Sequence, residues 1–562
     1  MNQLSGAEAM VRMLQLHGVK HIFGLCGDTS LPFYDALQRL DHGMTHILTR
    51  DERSAAYMAD AYARVTGRVG VCEGPSGGGA TYILPGLVEA NESSIPVLGI
   101  TTDIATTSRG RYALTELDQR SLFRPLTKWN DLVEHAQKLP EQVRTAFRTM
   151  TTGRPGAAHL GLPFDVQKAP VDEAELWAQP EHGTYPAWRA GPDPAAVEAA
   201  AEALLSARRP VFICGGGVVI AGAHGPLAAV ASRLGAPVAT TISGQGSLAE
   251  IHPLCLGVIG SNGGTPMTRA VIEQADLVVF IGCRAGSVTT ERWRFPKRDT
   301  RIIHIDVDPA VIGAIYRTEV ALVGDAALAL AALDAALAQR QSRISAGDGA
   351  ARVRAAKAEK EAVFRSHADH DGPEIRPERL VATLHELLPK DAVVVCDPGT
   401  PCPYFSAYYP FVEAGRHFIS NRAHGALGYA MSAVVGAQIG RPHAKCVAVM
   451  GDGSFGFTAG ELETIVRLRL PVTMIVVSNS VYGWIKAGQK SGFGGRYFSV
   501  DFSRTDHARV ADAFGVKSWH VAEPAALRKT LAAALEHDGP SLVDVVTQPL
   551  HEAHAPVSEW VA

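Results

Sequence analysis

The stretch from Val449 to Lys486 reads VMGDGSFGFTAGELETIVRLRLPVTMIVVSNSVYGWIK and sets a carboxylate and an amide at the ends of two apolar runs. The first run enters the turn Gly451-Asp452-Gly453-Ser454, with a helix expected from near Thr458; the second, VTMIVV, ends at Ser478-Asn479. Both turns are thereby expected at the C-terminal ends of parallel strands, where open α/β sheets bind their ligands. Gly451, Gly453 and Gly456 also satisfy GxGxxG, whose usual reading is a dinucleotide site. Two features count against that reading. No acidic residue stands about 20 positions further on to hold a ribose hydroxyl, and Asp452 in the turn itself would repel a bare pyrophosphate. A hard cation between carboxylate and phosphate removes the conflict. Mg2+ takes carboxylate, amide and carbonyl oxygens together with phosphate oxygens, and Asp452, the Asn479 side chain and the Val481 carbonyl can supply three of them. The plain alternative is a glycine-rich turn with a surface aspartate.

The rest of the chain supplies elements to position these turns. A length of 562 residues suggests roughly three or four domains. A hydrophobic content of 46% and a charged content of 20% fit a globular protein with large cores. A net charge of -4 does not suit nucleic acid as the main partner. The eight cysteines form no CxxC pair or zinc cluster, which favours free thiols in a reducing compartment. The N-terminal MNQLSGAEAMVRMLQLHGV lacks the pattern of a signal peptide, and no apolar run is long enough to span a membrane. A cytoplasmic, membrane-free protein is expected.

Three blocks share one grammar of β-branched strand, glycine turn and amphipathic helix. That grammar predicts an α/β fold of three doubly wound parallel-sheet domains. The first, 1–180, holds HIFGLCG, THILTR, GVCEG, PVLGITTD and AAHLGLP, with the helix ERSAAYMADAYARV after THILTR. The second, 190–340, holds PVFICGGG, PVATTI, ADLVVFIGCRAG and RIIHIDVDP. The third, 370–548, holds DAVVVCDPG, CVAVMGDGSFG, PVTMIVVSN and SLVDVVTQ, and a tail at 549–562 is free to fold back as a lid.

A GDG turn answered one strand later by an Asn resembles the diphosphate–metal motif of the thiamine diphosphate-dependent family that includes acetolactate synthase, pyruvate decarboxylase and oxalyl-CoA decarboxylase. The family's doubled Asn stands here as Ser478-Asn479, which keeps the second, metal-binding one. The resemblance implies pyrimidine, central and diphosphate domains in that order, with thiamine diphosphate and Mg2+ as cofactors. It maps the family's activating glutamate to Glu52, in HILTRDERSAAYMADAYARVTG. A carboxyl bonded to the cofactor's pyrimidine promotes loss of the thiazolium proton. Without the resemblance, Glu52 is an ordinary first-turn glutamate favoured by the helix dipole. The family takes this glutamate from a partner subunit, which implies a homodimer or homotetramer with active sites at subunit interfaces. By the same likeness Gly77, in Glu73-Gly74-Pro75-Ser76-Gly77-Gly78-Gly79, lies beside the aminopyrimidine, and Leu427, in HGALGYAM, lies under the cofactor.

The reaction is read from the remaining segments. Leu114-Thr115-Glu116-Leu117-Asp118-Gln119 is similar to the EELDQ of oxalyl-CoA decarboxylase and 2-hydroxyacyl-CoA lyase, which makes Glu116 a candidate catalytic residue. The central block lacks the charged run associated with the flavin of acetolactate synthase. By resemblance Arg284, Asp306 and Asp308 sit where the central domain holds ADP or coenzyme A. In the tail, His551 and His554, with Glu552, are candidates for moving a proton on a substrate hydroxyl. The expected activity is a carbon–carbon lyase that splits a small-molecule CoA thioester, 2-hydroxyacyl-CoA, into an aldehyde or ketone plus formyl-CoA. The alternative is an acetolactate synthase-like carboligase or 2-oxo acid decarboxylase acting on pyruvate-type substrates. Exact substrate, direction of reaction and dimer versus tetramer stay open.

Overall fold

The computed structural model describes residues 3–345 and 347–560. These form three six-stranded sheets, each wholly parallel, and a two-stranded antiparallel ribbon of Gln3–Ser5 with Pro170–Asp172. The chain divides into two compact units. The first comprises the N-terminal segment through Trp188 with Asn421–His443 and Thr458–Leu470; the second comprises Arg189–Ser420, Ala444–Phe457 and the segment from Pro471 onward.

The first unit holds one sheet, in spatial order Thr45–Leu48, His21–Gly24, Gly70–Gly74, Val97–Asp103, Ala158–Pro163, Trp129–Leu132. Its central strands, GVCEG and VLGITTD, are buried along their whole length. That is why they read as continuous apolar runs rather than alternating ones. Behind them the helix Glu52–Thr66 starts at Asp51, whose side chain accepts from the Arg53 N–H at 2.8 Å, and stops at Gly67 with φ +68°. Its sequence, ERSAAYMADAYARVT, offers alanine on several faces, and almost every residue is buried. Small residues let neighbouring helices come close. A Cβ on Gly436, in the helix Tyr429–Gly440, would sit 1.9 Å from the Met58 carbonyl oxygen. Three of the buried polar side chains here form one bonded group with Glu89. Arg64 Nε donates to Asp60 Oδ2 at 2.9 Å, Arg64 Nη2 donates to Glu89 Oε1 at 3.1 Å, and the Tyr429 hydroxyl donates to Asp60.

The second unit holds two sheets. The central one runs Cys255–Val258, Val238–Thr240, Pro210–Cys214, Leu277–Ile281, Arg301–Asp306, Val320–Val323. In chain order this is the 3-2-1-4-5-6 arrangement of dinucleotide-binding folds. The C-terminal one runs Phe418–Ser420, Val393–Cys396, Cys446–Gly451, Thr473–Ser478, Ser541–Val546, Lys517–Val521, which is 2-1-3-4-6-5 and repeats the order of the first unit's sheet. In such sheets the crevice lies where the strand order reverses, here between Val393–Cys396 and Cys446–Gly451. Residues 556–559 are stitched to loops of the central sheet. Gly263 N–H donates to Pro556 O at 2.9 Å, Ser558 N–H donates to Ser261 O at 3.0 Å, and Arg294 pairs with Glu559 at 2.6 Å. All eight cysteines are free thiols. Among the described residues no helix is long and apolar enough to cross a membrane.

Candidate functional site

Asp452 leaves the strand Cys446–Gly451 as the first residue of a short helix and is buried. Its carboxylate fastens the two turns together. Oδ2 accepts from the backbone N–H of Asn479 at 2.8 Å and of Ser480 at 2.6 Å, while Oδ1 accepts from Gly453 N–H at 2.8 Å. Burial raises the Asp452 pKa above the usual aspartate range, and the three backbone donors offset only part of that rise. Such a site gains from a nearby cation, which favours the charged form. Gly451 borders open space, whereas a Cβ on Gly453 would meet the Tyr482 ring at 2.7 Å. Ser480 adopts a left-handed φ of +57°, a strained conformation for a serine and one that recurs at functional turns.

The donor set fits a hard cation. The Asn479 amide nitrogen is buried with no hydrogen-bond partner. The bridge between Val481 and Asp501 uses Ser480 O and Tyr482 N, bonded to Phe502 N and Val500 O, and leaves the Val481 carbonyl outside the pairing. Among the described residues no group of three or more His, Cys, Asp or Glu could hold a metal. One carboxylate, one amide and one carbonyl is the set that Mg2+ accepts when phosphate oxygens complete its shell. Ser454, expected to touch the cofactor, donates its hydroxyl to Asp397, one residue beyond the strand Val393–Cys396. It ties the two sides of the crevice together.

In the first unit Glu52 is the first residue of its helix and only 6% exposed. Burial lifts its carboxyl above the usual range, Asp51 and Glu73 add to the lift, and a backbone hydrogen bond opposes it in part. Glycines at 74 and 79 leave room beside it. A Cβ on Gly79 would lie 3.2 Å from Glu52 Oε1, and one on Gly74 would lie 3.2 Å from Glu52 Cγ. Gly77 has φ +68° and abuts Thr115, whose hydroxyl is 2.7 Å from that of Ser76. The TELDQ segment is thereby locked onto the glycine loop. Glu116 accepts from Gly110 N–H at 2.6 Å and from Ala113 N–H at 3.3 Å, so it shapes its own loop. Leu427 is half-buried, just before Gly428, which caps the helix Tyr429–Gly440 with φ +87°.

Sequence reasoning missed a second buried carboxyl here. Glu73 is 1% exposed, accepts from the Tyr34 hydroxyl and lies 3.5 Å from His46 Nε2. Its neighbours come from separate elements, so no spacing in the chain announces them. In the central sheet, Arg284 lies just beyond the strand Leu277–Ile281, and Asp306 ends the adjoining strand Arg301–Asp306. Asp306 Oδ1 accepts from Asp308 N–H at 2.9 Å, and Asp308 in turn accepts from Ala310 N–H at 3.0 Å. The tail histidines face different ways. The His551 ring lies 5.8 Å from Tyr497, whereas that of His554 stacks 5.1 Å from His367 beside a cavity of about 310 Å3.

Comparison with known proteins gives three family matches that follow one another along the chain. Residues 4–122 match the N-terminal TPP binding domain of thiamine pyrophosphate enzymes. Residues 197–333 match their central domain, and residues 397–545 match their C-terminal TPP binding domain. Among curated relatives, a probable acetolactate synthase large subunit of Methanocaldococcus jannaschii is 34% identical over 97% of this chain and 92% of its own length. The acetolactate synthase large subunit of Corynebacterium glutamicum is 32% identical over 97% of this chain and 87% of its own. The isozyme 3 large subunit of Escherichia coli is 31% identical over 95% of this chain and 93% of its own. These names agree with the alternative drawn from the sequence, the carboligase, and not with the thioester lyase.

Proposed function

The chain belongs to the thiamine pyrophosphate enzyme family, and from that premise we propose that it is a Mg2+-requiring carboligase acting on 2-oxo acids of the pyruvate type. The observation that carries the reading is the Asp452 carboxylate, which holds the Asn479-Ser480 turn against the glycine turn. Alongside it lie the Asn479 amide, whose nitrogen has no partner, and the Val481 carbonyl, which the Val481–Asp501 bridge does not use. The names of the relatives support the choice of reaction. They give no support to coenzyme A, so a CoA thioester is not part of the proposal, and no nucleotide-binding role is proposed for Arg284, Asp306 and Asp308.

Asp452, Asn479 and the Val481 carbonyl would hold the cation, and Gly451 would let the backbone approach a diphosphate. When bound, the cofactor supplies a thiazolium carbon that can add to a carbonyl. Glu52 would hold a proton on its buried carboxyl and lend it to a ring nitrogen, a task that suits a glutamate whose burial raises its affinity for protons. The glycine loop presses against that carboxyl and limits its access to water. Tyr112 and Leu114 of the first unit, and Phe493 and Phe498 of the second, are large exposed apolar side chains. Surfaces of that kind suit contact with a further subunit.

Product analysis tests the reaction. The protein loaded with thiamine diphosphate and Mg2+ should consume pyruvate, release CO2 and yield a carbon–carbon ligation product. Cleavage of a 2-hydroxyacyl-CoA with release of formyl-CoA, and no turnover of pyruvate, would replace the carboligase with the lyase.

A further inference from the structure

Ser478 stands directly before the candidate cation ligand Asn479, and its side chain is engaged below the turn rather than in it. It ends the strand Thr473–Ser478 and is buried. Its hydroxyl donates to Asp544 Oδ1 and lies 3.0 Å from His507 Nδ1. Asp544, 1% exposed, belongs to the adjoining strand Ser541–Val546, and its other oxygen is 3.1 Å from His520 Nδ1 on the next strand. His507 is also buried, begins the helix His507–Ala513, and sets its ring edge-on to Phe455 at 5.0 Å. Phe455 belongs to the GDGSFG turn. One polar cluster thus joins three strands, a helix and the glycine turn directly beneath the candidate site.

The turn above it has two demands. Asn479 and Ser480 must both aim their N–H groups at Asp452 Oδ2, and Ser480 must hold φ +57°. A left-handed serine costs on the order of 1 kcal/mol and persists only where its surroundings fix it. Asp452 fixes the turn from one side. On the other side the strand end is held by Thr547 N–H, which donates to Ser478 O at 3.0 Å, and by the Ser478 side chain. A free hydroxyl rotor would not hold a backbone. A hydroxyl bonded to a buried carboxylate and an imidazole has one orientation, because the alternative leaves a buried charge short of a donor.

We propose that Ser478, Asp544 and His507 form a positioning clamp that presets the Asn479–Val481 ligands for Mg2+ without touching the ion. The proposal rests on the cofactor reading above. Partners of this outer kind change metal affinity by about 10- to 100-fold. The test is calorimetric titration of Mg2+ into the full-length protein with saturating thiamine diphosphate, for wild type, Ser478→Ala, Ser478→Thr and Asp544→Asn. The thermal midpoint of each is also measured without cofactor or metal. Ser478→Ala and Asp544→Asn should each raise the Mg2+ Kd about 10-fold or more. Ser478→Thr, which keeps the hydroxyl, should stay within about 3-fold. The double variant Ser478→Ala/Asp544→Asn should be little worse than either alone, because both break one clamp. A Mg2+ Kd unchanged in folded Ser478→Ala would overturn the clamp. So would an Ala variant that only lowers the cofactor-free thermal midpoint, or a Thr variant as weak as Ala. The wild-type titration reads the underlying premise separately, since no Mg2+-dependent binding there would remove the cofactor reading and the clamp with it.

Discussion

Glu52 and Asp452 are both buried carboxylates with raised pKa, yet their neighbours give them different work. Three backbone N–H groups point at Asp452, which suits the proposed role of a fixed anion paired with a cation. Glu52 meets glycines and a second acid, which suits a group that gives and regains a proton. Glu52→Ala should therefore abolish turnover while leaving thiamine diphosphate binding within about 10-fold, measured by calorimetry beside steady-state rates. Asp452→Ala should do the reverse, with loss of Mg2+-dependent binding first. Near-normal turnover by Glu52→Ala would withdraw its role. Asp452 is legible in the sequence because its turn ends an apolar run, whereas Glu52 is singled out only by the family resemblance. Glu73 with Tyr34 and His46, and Ser478 with His507 and Asp544, are not legible, because strands and helices far apart in the chain bring them together.

At the scale of elements, the strand THIL and the helix that follows it are readable from β-branched residues, an aspartate cap and a closing glycine. The burial of that helix on nearly every face is not, because a pattern of alanines does not say how many neighbours approach. The Arg64–Asp60–Glu89–Tyr429 group is the consequence. Arg64→Ala should cost about 3–5 kcal/mol in chemical denaturation, since it strands two buried carboxylates. Another element has a pH signature. Glu378, in the helix Pro377–Leu387, has its carboxyl pushed up to about 7 by burial. The folded state then binds a proton that the unfolded state releases at ordinary glutamate pKa. Its contribution is complete below the unfolded pKa and fades as pH rises through about 7. Glu378→Gln should therefore gain stability over wild type at pH 8 and lose none at pH 4, as read from denaturation midpoints at the two values. An equal difference at both pH values would contradict this.

For the whole molecule, the three parallel sheets follow from the repeated strand–glycine–helix grammar. Their strand orders do not, since they depend on which edge each crossover reaches. Within the tail, expected to fold back as a lid, Pro556 and Ser558 are bonded by their backbone to loops of the central sheet. If the site is completed by a second subunit, an equimolar mixture of inactive Glu52→Ala and Asp452→Ala proteins should regain about a quarter of wild-type activity after subunit exchange. Sites built within one chain would regain none. The central claim is that this chain binds thiamine diphosphate through Mg2+ at the Asp452–Asn479 turn. The most direct measurement is calorimetric titration of thiamine diphosphate into cofactor-free protein, with and without Mg2+, for wild type and Asp452→Ala. Saturable binding by wild type only when Mg2+ is present, and its loss in Asp452→Ala, is the expected result. No binding by wild type, or equal binding by both proteins in chelator, would contradict it.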